Sequence, residues 1–223
     1  MARTTYGNTN MPKFCMQGLV RITANIDDLY EARAVLHELL QYDIVDLISN
    51  CLRQGDDVEL IYWAAGLMHE FVLKEVAVDQ FRAIKGIHAI LTGLLSAEEM
   101  YISRVILRII KFMAFDQQEF KGKMVESGMI KKIMHCLSLE DDDVKYWATL
   151  CIHVAAGETK SHEQIVTAPE FKLLLESSFS RKLEVALFVS DILSLICCIC
   201  KLFQLHSDND VFIDHKGFSY SKQ

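Results

Sequence analysis

Proline and glycine are scarce in this 223-residue chain, at 2 and 10 residues, while 51% of it is apolar and 24% charged. That composition excludes collagen-like, low-complexity and disordered chains, and favours helix. A surplus of positive charge is also missing. The 23 Lys and Arg stand against 30 Asp and Glu, a net charge of −7, so phosphate neutralisation by a basic face is not expected and nucleic acid is excluded as a partner. The polar opening Met1 to Asn10 is not followed by the apolar run of a secretory signal. No G-x-S-x-G, no phosphate-cradling glycine loop and no H-R-D segment occurs, so no reaction type is specified and the chain reads as a non-enzyme.

Seven cysteines are present: Cys15, Cys51, Cys136, Cys151, Cys197, Cys198 and Cys200. An odd number scattered through apolar stretches predicts free, buried thiols in a reducing compartment, hence a cytoplasmic or nuclear location. Cys197 and Cys200 have C-x-x-C spacing but no βαβ context, so they read as packing residues of a helix. The apolar run Val185 to Leu205 is long enough to raise the question of a membrane span. Asp191 and Lys201 interrupt it, and a central Asp costs about 2.5–3.5 kcal/mol on insertion scales, so a buried helix is expected there. Neither the eight histidines nor the acidic run Glu140 to Asp143 has metal-ligand spacing, and no metal or cofactor is expected.

The organising feature is internal repetition. Tyr62-Trp63-Ala64, with His69 beyond it, recurs 84 residues later as Tyr146-Trp147-Ala148 with His153, which divides into two units of 42. The intermediate copy is visible where Lys85-Gly86-Ile87 becomes Ser127-Gly128-Met129. Within a unit the apolar spacing changes three times, predicting three helices: a long one over Asp57 to Glu75, a short one over Val78 to Ile84, and a third starting at Ile87 after the glycine break. Ser96 and Ser138, with acidic residues behind them, are expected to open the next long helices as capping boxes. Units of this kind bury their apolar faces only by stacking. Met11 to Ala24 and Asp28 to Tyr42 read as N-terminal capping helices, with Met1 to Asn10 as a tail.

The run Val144-Lys145-Tyr146-Trp147-Ala148, with the glycine break before an I-x-x-I-x-x-L-L helix, resembles armadillo repeats. The fold expected is therefore all-α, a right-handed α-solenoid of about four to five armadillo-type three-helix repeats with a period of about 42. The array is expected over residues 22–205, with residues 1–21 as tail and start of the caps. Residues 206–223, where Phe212 to Phe218 resembles Phe81 to Ile87, read as the truncated start of a further repeat, leaving an open end able to self-associate. The resemblance implies a concave groove that binds proteins, lined by the family's third helix, to which the long helices carrying Ala64 and Ala148 correspond. In peptide-clamping relatives these helices carry Trp and Asn; in that register this chain has Gly66, Arg108, Leu150 and Ile192, then Glu70, Phe112, Val154 and Ile196. None of these is Trp or Asn. The expected strip is aromatic and apolar, with Tyr62, Glu70, Arg104, Arg108, Phe112 and Tyr146 as candidate binding residues and an amphipathic helix or segment of a partner protein as occupant. The competing reading is that these residues pack between repeats. The expected role is a scaffold or adaptor; the alternative is the targeting or regulatory solenoid of a larger enzyme.

Overall fold

The computed structural model describes residues 10–54, 57–95, 99–178 and 182–197, and among them there is helix and turn but no strand. Helices α1 (Asn10–Ala24) and α2 (Leu29–Leu39, extended by a 3-10 turn Leu40–Tyr42) come first, followed by α3 (Ile44–Arg53) and α4 (Val58–Leu73). Two units then repeat the same plan: α5 (Val78–Ala83), α6 (Ile87–Leu94) and α7 (Met100–Ala114), then α8 (Gln118–Glu126), α9 (Met129–Cys136) and α10 (Asp142–Ala156). A fourth unit has α11 (Ser161–Val166), α12 (Phe171–Ser177) and a helix over residues 183–197, α13. The long third helices stack in series, α1 on α4, α4 on α7 and α7 on α10. One continuous core runs from Met16 to Ile196.

Local chemistry explains the joints. The long helices α4, α7 and α10 open at Asp57, Glu99 and Asp141, spaced by 42 residues. The Asp57 carboxylate accepts a hydrogen bond from the Leu60 N–H and that of Asp141 from the Val144 N–H, each satisfying a first-turn donor. This corrects the expected capping boxes. Ser96 lies outside the described residues and α7 begins only at Met100, while the Ser138 hydroxyl donates backward to the His135 carbonyl. Gly86 and Gly128 take φ of 78° and 72° as the N-caps of α6 and α9, with nothing within 4 Å of a built Cβ. The glycine is thus required by conformation and not by space. Gly128→Ala is expected to cost about 1–2 kcal/mol in urea unfolding, whereas Gly93→Ala, inside α6 and equally uncrowded, is expected to stabilise by about 0.5–1 kcal/mol. Equal effects at the two sites would contradict this assignment.

The structure bears on two expectations about extent. The boundary at residue 22 falls inside α1, which is part of the stack: Met16 is buried and Val20 lies 3.4 Å from a Cβ built on Gly66 of α4. The helix over 183–197 is buried on one stripe only, Val185, Val189, Ile192 and Ile196, while Leu183, Leu187 and Leu195 are exposed. Its outer positions Ser190, Asp191 and Ser194 correspond to Ala148, Thr149 and Ile152 of α10, which are buried, so water suits this face better than it would suit the earlier ones. No helix among the described residues is long and apolar enough to cross a membrane. The tail Met1 to Thr9, Cys198, Cys200 and the expected truncated repeat at 206–223 lie outside the described residues.

Cysteine burial divides. Cys51, Cys136 and Cys151 are free and buried, while Cys15 and Cys197 are free and exposed, because they fall on the outer faces of α1 and α13. Burial pushes the Cys136 thiol up to about 11 and the Cys151 thiol well above the usual range, which keeps both protonated. Cys151 Sγ donates to the Leu107 carbonyl at 3.1 Å, linking α10 to α7.

Candidate binding strip on the stacked long helices

Because α4, α7 and α10 repeat in register, equivalent side chains fall in rows across them. The row Tyr62, Arg104, Tyr146 and Phe188 is half-buried along its length. Tyr62 meets Tyr101 of α7 edge to face, with ring centroids 5.2 Å apart. The Arg104 guanidinium reaches Asp141 at 2.5 Å and Asp143 at 3.7 Å across the joint to α10. The Tyr146 hydroxyl donates to Glu184 of α13 at 3.3 Å, and burial first, then the Glu184 charge, raises its pKa.

The next rows are deeper. Arg108 stacks over the Trp147 ring at 5.0 Å. Phe112 packs edge-on to His69 at 6.2 Å, with the Lys111 ammonium 4.2 Å from its ring centre. Glu70 is only 8% exposed, and its carboxylate is bound by the Lys74 ammonium and by His69 at 3.5 Å. His153, the counterpart of His69, lies 5.2 Å from Phe188 and 3.7 Å from Asp191; burial lowers its pKa against the pull of Asp191.

Of the six sequence-derived residues, five therefore reach across to a neighbouring unit, and Glu70 is satisfied within α4. Several groups on the same surface escaped the sequence reading. Tyr101 completes the aromatic pair with Tyr62, and its signal was its place 42 residues after Glu59. The carboxylates of Glu59, Asp143 and Glu184 line the edge where the long helices begin, and Glu59 is held 3.4 Å from Lys13 of α1. Among the described residues no group of three or more His, Cys, Asp or Glu is placed to hold a metal ion.

No protein-family model matches this sequence, and no curated protein matches it. Solved structures do. An engineered protein superposes with a TM-score of 0.69 at 20% identity, over 87% of this chain and 76% of that one. A designed armadillo repeat protein in complex with the peptide (KR)4 gives 0.67 at 15% identity, over 85% and 77%. Computationally designed armadillo repeat proteins for modular peptide recognition give 0.70 at 15% identity, over 86% and 78%. The stacked three-helix units of this chain are thus an armadillo-type repeat fold, an all-α solenoid.

Proposed function

We propose that the protein is a non-catalytic scaffold that holds an amphipathic segment of a partner protein along the strip formed by α4, α7 and α10. The observation that carries this reading is the set of accessible aromatic rings, half-buried Tyr62 and Tyr146 with exposed Tyr101, beside exposed carboxylates at the start of the same helices. Rings of this kind bury large area at small entropic cost, and they dominate the energetics of many interfaces. Apolar residues of the segment would lie on the rings and its Lys or Arg side chains along the Glu59, Asp143 and Glu184 edge. Solenoids of this architecture have been designed for peptide recognition, which supports a peptide segment as the occupant. Free buried thiols favour a cytoplasmic or nuclear setting for this role.

The test is binding of a library of amphipathic peptides to the purified chain, followed by titration of the tightest binder. Tyr62→Ala and Tyr146→Ala are each expected to weaken it about tenfold with native helicity retained. Affinity unchanged in both variants would remove the strip from the site. Arg104→Glu is a poor probe of the same face, because it places a carboxylate beside Asp141 and Asp143 and disturbs the cap of α10.

A further inference from the structure

A separate cleft opens where α4 and α7 end, away from the strip's acidic edge. It encloses about 510 Å³, with Val72, Ala77, Val78 and Phe112 as its apolar lining and Phe115 along one side. Phe115 follows the last residue of α7 and is 62% exposed. Leaving a phenyl ring this open forgoes most of the roughly 1.5–3 kcal/mol that its burial would contribute. The repeat does not require it, since the equivalent position after α10 is Gly157.

The backbone beside the cleft is also unusual. Glu75, Ala77 and Asp116 take φ of 58°, 55° and 51°, a left-handed conformation that costs a residue with a Cβ about 1–2 kcal/mol. These turns place Glu75 and Asp79 at the rim, with side chains 78% and 92% exposed. The nearby cations are already engaged: Arg33 with Glu75 and the Lys74 carbonyl, and Arg82 with Asp79 and the Met113 carbonyl. Lys111 lies over Phe112 and Phe115 at 4.2 and 5.4 Å, so these ring faces accept a cation in the chain itself.

We infer that this cleft is an anchoring socket for a partner protein segment, taking one aromatic or large aliphatic side chain against Phe112 and Phe115 and flanking Lys or Arg residues against Glu75 and Asp79. Its volume falls in the range of pockets that accept a buried group, and the most exposed charges at its rim are the Glu75 and Asp79 carboxylates, beside the less exposed Arg33 and Arg82 that pair with them. The socket shares Phe112 with the proposed strip but opens at the opposite end of the long helices from the Glu59, Asp143 and Glu184 edge, and its occupancy does not require the strip to be filled.

The probe is the tripeptide acetyl-Lys-Phe-Lys-amide, too short to span the strip, titrated into the full isotope-labelled chain while backbone amide shifts are recorded. Saturable shifts confined to residues 72–79 and 112–116 are expected, at millimolar peptide. Acetyl-Lys-Ala-Lys-amide and acetyl-Glu-Phe-Glu-amide should bind at least about threefold more weakly, and Phe115→Ala, an exposed position, should weaken the first peptide similarly with no change in thermal unfolding. Shifts located elsewhere, shifts equal for all three peptides, or shifts undiminished in Phe115→Ala would overturn the assignment, as would the absence of any shift. Cleft shifts that depend on chain concentration without peptide would assign the socket to a second copy instead.

Discussion

Phe71→Ala is expected to lower the unfolding free energy by about 3–5 kcal/mol, the range for deleting a fully buried phenyl ring. Phe71 lies on α4 and meets Phe81 of α5 edge to face at 5.6 Å, both rings wholly buried, so it joins the third helix of one unit to the first helix of the next. A solenoid is stabilised by such nearest-neighbour interfaces, and losing one weakens both units that share it. Urea unfolding followed by helical signal should show an earlier midpoint; a cost below about 1 kcal/mol would contradict the burial of this ring. Trp147→Ala should cost less. The repetition of Trp63 and Trp147 invites the view that they are core anchors, but both are half-buried, and one face of Trp147 is covered by the movable Arg108 side chain.

That contrast marks what periodicity can convey. A 42-residue recurrence places residues in equivalent positions, and it located α4 within two residues of its observed bounds, the presence of α10 from Tyr146-Trp147-Ala148, and the turns at Gly86 and Gly128. It does not say what each equivalent position meets in the neighbouring unit. Tyr62 and Arg104 are equivalent, yet one meets an aromatic ring and the other two carboxylates, because the partner is set by a different helix each time. Caps were misplaced for a related reason. Ser96 and Ser138 matched a local motif, whereas Asp57, Glu99 and Asp141 matched the global period, and the period prevailed because stacking fixes where each long helix begins. The cleft beside Phe115 had no sequence signal beyond one apolar residue after a helix. Its shape depends on left-handed turns at Glu75, Ala77 and Asp116, of which the glutamate and the alanine are residue types that seldom adopt them.

Glu70→Ala is expected to destabilise the chain by about 3 kcal/mol, although the sequence alone offers Glu70 as a binding residue. The Glu70 carboxylate and the Lys74 ammonium are both withdrawn from water, one turn apart at the C-terminal end of α4, which Lys74 caps. Removing the carboxylate strands the ammonium, which keeps only its hydrogen bond to the Thr23 carbonyl at 2.8 Å. That remaining bond puts the cost at the lower end of the range for a broken buried pair. Replacing both members, Glu70→Met with Lys74→Met, removes the stranded charge and should return stability to within about 1 kcal/mol of the parent. Acid provides the independent check. Burial pushes the Glu70 pKa upward, but the hydrogen bonds from His69 and Lys74 outweigh it and hold the group below its ordinary value of 4.5. A carboxyl depressed in the folded state stabilises fully above its unfolded pKa and loses that contribution as pH falls through the folded one. The parent should therefore lose stability below about pH 4.5 more steeply than the double variant, and parallel acid profiles would show that the pair contributes nothing to the fold.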